Sequence, residues 1–91
     1  MDTKSLVKVA KSLSDPHRLN LLQEIAQSEK ARYCDLLECV PISQPSMSQH
    51  LKALVDAGLV ESEKVGRTMY LTINRAKLQE LEEFLQSLKS R

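Results

Sequence analysis

Gln44, Pro45, Ser46, Ser48, Gln49 and Lys52 crowd into a nine-residue stretch whose other members are Met47, His50 and Leu51. The chemistry open to these side chains is hydrogen bonding to polar edges rather than bond making. A Gln amide can pair with both adenine groups in a major groove. A Ser hydroxyl can meet most base edges or a phosphate, and Lys suits a phosphate. At 100° per residue, Met47, Leu51 and Leu54 fall within roughly 60° of one another and form a buried helix face. The opposite face holds Pro45, Ser48, Gln49 and Lys52, flanked at the helix start by Gln44 and Ser46, and is expected to be free of acid. A solvated helix face is the bland alternative, but such faces usually mix charges of both signs. A short-chained Ser/Gln face fits a helix lying in a DNA major groove, with its first amides turned to the backbone.

A second candidate is the run from Lys64 to Lys77, which carries Lys64, Arg67, Arg75 and Lys77 and no acid. A hairpin tip bearing Arg67 can reach phosphates or a minor groove, although an ordinary basic hairpin has the same composition. A third is the pair Cys34 and Cys39. They sit five positions apart, about 140° on a regular helix, so they do not converge on one ion. A metal site needs three or four ligands, which leaves metal binding at Cys34 without a ligand set. Both thiols are expected to be small buried hydrophobes, with a thiol switch as the functional alternative. His50 sits roughly 60° from Met47 and is expected at the core boundary. His17 is expected at the surface or an interface. No phosphate loop, nucleophile elbow or zinc-protease motif is present, and no nucleophile–base pair supports an enzyme. No cofactor is expected.

The elements that must position these residues follow from periodicity and punctuation. Leu6, Val9, Ala10 and Leu13 recur at helical spacing and predict a helix over about 3–13. Asp15 and Pro16 form a cap and first turn for a second helix. Leu19, Leu22, Ile25 and Ala26 are expected on its inner face. A short helix is expected over about 33–39, with Leu36 and Leu37 inward. Pro41 breaks it, Ser43 caps a fourth helix to about 57, and Gly58 ends that helix. Residues 59–64 and 68–73 form a hairpin turned by Gly66, the second strand alternating in period two. Leu78, Leu81, Leu85 and Leu88 then mark a terminal helix with a narrow seam suited to another helix. The expected fold is mostly α with a small β-hairpin, a winged helix-turn-helix forming a single domain over 1–91.

The chain has 91 residues, 13 Lys and Arg against 12 Asp and Glu, and a net charge of +1. That sum argues against a nucleic-acid binder until it is placed along the chain. Residues 39–55 and 64–77 together carry +5 with no acid, while 56–63 carries −3. Three per cent aromatics leaves too few rings for a base-stacking RNA surface. No apolar run is long enough to cross a bilayer, no signal-peptide pattern opens the chain, and two cysteines suit a reducing cytoplasm.

Leu13-Ser14-Asp15-Pro16-His17-Arg18-Leu19, the block Ile42 to Leu54, Ala57-Gly58-Leu59-Val60, and Gly66-Arg67 with Tyr70 together resemble the ArsR-type bacterial repressors. The resemblance spans roughly residues 6 to 85. It implies a homodimeric winged-helix protein that binds double-stranded DNA, with the first and last helices as the dimer interface. That interface would draw on Leu6, Val9, Leu13, Leu78, Leu81, Leu85 and Leu88. Gln44, Ser46, Ser48 and Gln49 match the family's DNA-reading positions, and Arg67 matches its wing arginine. Many members carry Cys-Val-Cys-Asp-Leu in the third helix. This chain has Arg32-Tyr33-Cys34-Asp35-Leu36, and the His and Asp ligands other members carry on the last helix are missing. The competing expectation is a winged-helix interaction or dimerisation module that reads no DNA.

Overall fold

The computed structural model describes residues 1–90. Helix α1 (Thr3–Ser12) is capped by Asp2, whose carboxylate accepts the Ser5 amide at 2.8 Å. Helix α2 (Pro16–Ala26) starts at Asp15, which accepts the amides of His17 at 2.8 Å and Arg18 at 3.2 Å. Strand β1 (Ala31–Arg32) leads directly into α3 (Tyr33–Cys39). Helix α4 (Gln44–Asp56) is capped by Ser43, and strands β2 (Val60–Val65) and β3 (Thr68–Ile73) form the hairpin. Helix α5 (Arg75–Lys89) closes the order, its first turn tied by Asn74 to the Lys77 amide at 3.1 Å.

Burial alone would raise the Asp15 pKa, but the Arg18 and His17 amides, then the charges of His50 and Arg18, outweigh it and hold the carboxyl below 3.8. The capping contribution is therefore complete above that value and fades as pH falls through the lowered one. Asp15→Ala is expected to lower the melting temperature by roughly 5 °C at neutral pH. The difference from the parent should shrink in melts taken below pH 3.8.

Two glycines do the steering that no other residue could do without strain. Gly58 has φ +85°. The Leu59 amide bonds to the Leu54 carbonyl at 3.1 Å and the Gly58 amide to Val55 at 2.9 Å, a Schellman ending for α4. Leu54 and Leu59, the pair this motif brings together, are both fully buried. Gly66, at φ +62°, opens the two-residue turn between Val65 and Thr68, the Gly-first pattern of a II′ hairpin.

The core is built from Val9, Leu21, Ile25, Leu36, Met47, Leu51, Leu54, Leu59, Val60 and Leu71. It joins all the helices except α5, which contributes Leu81 from the outside. The sheet is three-stranded in the order β1-β3-β2, all antiparallel. Strand β1 is an addition to the expected hairpin. It is two residues long, too short for any periodicity, and exists because Ala31 and Arg32 pair with Leu71 and Tyr70. The inner face of α2 also differs from expectation. Leu21 and Ile25 enter the core, Leu22 is half-buried, and Leu19 and Ala26 point outward. Packing against both α4 and β3 turns the helix so that this i, i+4 pair faces in.

Candidate nucleic-acid interface

The outward side of α4 is built by the burial of its inner side. Met47 and Leu54 are fully buried and Leu51 nearly so, which fixes the rotation of the helix. Gln44, Pro45, Ser48, Gln49 and Lys52 are exposed, and Ser46 is half-buried. Two groups separate within this set. Gln49 and Pro45 face away from the core, while Gln44, Ser48 and Lys52 line the flank turned toward the hairpin. The face also carries one acid. Asp56 lies roughly 20° from Gln49 in projection at the C-terminal end, where its carboxylate is 3.8 Å from Lys52 Nζ. The expectation of an acid-free face therefore holds for the first three turns. Asp56, the last residue of α4, is the first of the stretch in which the charge changes sign.

Ser48 is not free to rotate at will. Its Oγ lies 3.1 Å from the Tyr33 hydroxyl, a bond between α4 and the start of α3. Tyr33 was legible in sequence only as the beginning of a short helix. A phenol fifteen residues upstream gives no local signal of such a bond.

At the wing, Arg67 is exposed at the hairpin tip beside Gly66, and Lys64 is exposed on β2 opposite Met69. Neither forms a salt bridge among the described residues. Arg75 is exposed at the start of α5. Lys77 behaves differently: its chain crosses Gly58, where an added Cβ would come within 2.9 Å of Lys77 Cε, and its Nζ is 3.4 Å from Glu80. Its charge is committed to α5 rather than offered at the wing.

His50 sits at the core boundary as expected. Its Nδ1 is 4.0 Å from Asp15, and its ring centroid is 5.6 Å from that of His17, which is exposed. Cys34 and Cys39 overturn the buried reading, since both thiols are exposed. Leu36 takes the inward position of α3, with Tyr33 and Leu37 packed half-buried against the same core, and the two thiols are left on the outer side. Exposure does not make a metal site. Arg32 occupies the place of the first thiol in the Cys-Val-Cys-Asp-Leu pattern, and its guanidinium donates to both oxygens of Asp35 at 3.0 and 3.2 Å. That pair engages the carboxylate next to Cys34 in sequence and sets a positive charge beside the thiol, an arrangement that favours an ion pair over a cation site. Among the described residues, no three His, Cys, Asp or Glu side chains come together as ligands.

On the far side, α1 and α5 carry apolar residues that the chain does not cover. Leu78, Leu85 and Leu88 are 38%, 50% and 49% exposed, and Val7 on α1 is 45% exposed. Leu6 and Leu13 are half-buried, and Leu81 packs on the core. Val9, expected at an interface, is fully enclosed by its own chain. At this pitch Val7, two residues away, takes the opposite side of α1 and is left uncovered by its own chain. The start of α1 meets α5 where the Met1 amino group lies 3.8 Å from Glu80. No helix among the described residues is long and apolar enough to cross a membrane.

Comparison with known proteins adds to this geometry. A profile of the bacterial regulatory protein, arsR family, matches residues 15–62, which span α2 to the first part of β2. The arsenical resistance operon repressor of Staphylococcus aureus is 40% identical over 89% of this chain and 77% of its own length. A solved ArsR-like transcriptional regulator from Rhodococcus sp. RHA1 superposes with a TM-score of 0.86 at 31% identity, covering 96% of this chain and 81% of that one. A solution structure from Mycobacterium bovis, described as a homodimeric winged helix-turn-helix DNA-binding domain, gives 0.76 at 24% identity. It covers 96% of this chain and 80% of its own.

Proposed function

The chain belongs to the arsR family of bacterial regulatory proteins, and from that premise we propose a homodimeric repressor that lays α4 in the major groove of a palindromic operator. The family makes it a DNA-binding transcriptional regulator rather than an enzyme. The observation that carries the finer reading is the exposed Gln49–Pro45 face of α4, in a chain that also exposes Arg67 at the hairpin tip with no salt bridge among the described residues. Gln49 supplies the base-edge pairing, with Gln44, Ser46 and Ser48 around it, and Lys52, Lys64 and Arg67 supply phosphate contacts. The dimer forms through the uncovered apolar residues of α1 and α5, in keeping with the described homodimeric relative. Two α4 helices then meet successive major grooves about 34 Å apart.

Hydroxyl-radical footprinting on the DNA upstream of its own coding region tests this arrangement. Two protected patches about one helical turn apart, on one face of the duplex, are expected. A single patch, or uniform protection, overturns it. Arg67→Ala is expected to weaken operator and non-specific DNA alike and to flatten the dependence of log affinity on log salt by about two, one contact per protomer. Affinity measured between 50 and 200 mM salt, on the order used for such slopes, checks this. An unchanged slope removes the wing from the contact set.

A further inference from the structure

A groove of about 500 Å³ runs between α4 and the hairpin, within the range of sites that take small molecules. Its floor is apolar: Leu51 and Val55 from α4 face Met69 and Leu71 from β3. Leu71 is 1% exposed, so the floor is continuous with the core, whereas Met69 is 40% exposed and leaves the groove open on the wing side. The rim is made of hydroxyls, from Tyr33, Ser48 and Ser62. Lys52 is the one charged residue of the lining, and no carboxylate lines the groove. Asp56, the partner of Lys52, is held only at 3.8 Å with both side chains mostly exposed, an ion pair of little strength.

From this we propose that the groove binds a monoanionic aromatic or compact aliphatic carboxylate, and that its occupancy releases DNA. The ring lies against Leu51, Val55, Met69 and Leu71, and the carboxylate meets Lys52 and the rim hydroxyls. A floor of this kind favours an apolar body, and a lone cation at its mouth favours one negative charge. A neutral ligand would leave Lys52 unused, and a dianion would face a single cation. The consequence for DNA comes from shared residues. Ser48 and Gln44 belong both to the groove lining and to the α4 flank proposed for operator contact. A carboxylate accepting from Tyr33 and Ser48 competes with the 3.1 Å bond between them and re-aims the Ser48 hydroxyl. This second clause rests on the repressor reading; the first does not.

The test uses 1-naphthoate as probe and 1-naphthalenemethanol as its neutral counterpart. In DNA-free protein, saturable amide shifts at Tyr33, Ser48, Ser62 and Leu71 are expected with naphthoate, at least fivefold weaker with the alcohol. Lys52→Gln should weaken naphthoate at least fivefold, and Met69→Glu, which sets an anion in the groove, should abolish the response. Scattered shifts, no saturation, or equal response to the alcohol overturns the site. So does a response that survives both substitutions. In a second arm, saturating naphthoate should lower wild-type affinity for upstream DNA at least tenfold. Unchanged DNA affinity with a filled groove overturns the release clause. If wild-type protein shows no preference for that DNA, the repressor reading has failed, and the DNA-free titration still decides the site.

Discussion

Gln49→Ala is expected to weaken operator binding by roughly ten- to a hundredfold per half-site while leaving non-specific DNA affinity within about twofold. The asymmetry follows from what the side chain can do. Gln49 is uncharged, so its removal changes no phosphate contact and leaves the salt-dependent part of binding intact. A bidentate amide–adenine pair is worth about 1–3 kcal/mol of discrimination against a wrong base. A symmetric dimer uses it twice. The folded state should not notice the change, because Gln49 is exposed on a helix whose rotation is set by Met47, Leu51 and Leu54. Ala is also the better helix former. Fluorescence anisotropy with operator and scrambled duplexes measures both quantities in one buffer. Equal loss on the two duplexes would mean that Gln49 reads no base.

The second large effect is expected at the opposite end of the molecule. Leu85→Glu should raise the dimer dissociation constant by about a hundredfold or more and bring operator affinity down to the non-specific level. Leu85 is 50% exposed and outside the core, so the substitution leaves the monomer fold in place. In a dimer seam it would bury a carboxylate without a partner, which costs several kcal/mol. Loss of the dimer then removes one half-site from every binding event. Sedimentation velocity gives the association state and thermal unfolding followed by circular dichroism confirms the fold. A variant that remains dimeric with full operator affinity would place the interface elsewhere. The long axis of 46 Å against 23 and 21 Å fits this assignment, since α5 stands out from the core with its apolar side uncovered.

What could be read from the sequence was the local chemistry. Asp15-Pro16, Ser43, Gly58 and Gly66 each announce a cap or turn through the backbone conformation they allow, and each does that in the structure. The buried trio of α4 follows from spacing alone, and so the outward face was legible with it. The failures are all questions of what lies across from a residue. Strand β1 exists only through its pairing with β3. Leu19 lies outside and Leu21 inside because α2 is turned by two neighbours at once. Val9 and the two cysteines were misplaced for the same reason: apolar or thiol character does not say whether the covering surface is the chain's own. The Tyr33–Ser48 bond and the groove beside it join three elements distant in sequence. Net charge behaved in between. Its segregation is visible in sequence, but the retirement of Lys77 to Glu80 and the partial pairing of Lys52 with Asp56 required the fold.

The central claim is that this domain reads sequence through α4 and does not merely adhere to DNA through its few cations. Its net charge of +1 makes the two possibilities easy to separate. The most direct measurement is equilibrium anisotropy of the intact protein on the DNA upstream of its coding region, against a scrambled duplex of equal length and composition, at moderate salt. Affinity for the native duplex at least about a thousandfold tighter than for the scrambled one is predicted. Equal affinity for the two, at every salt concentration tried, would contradict it.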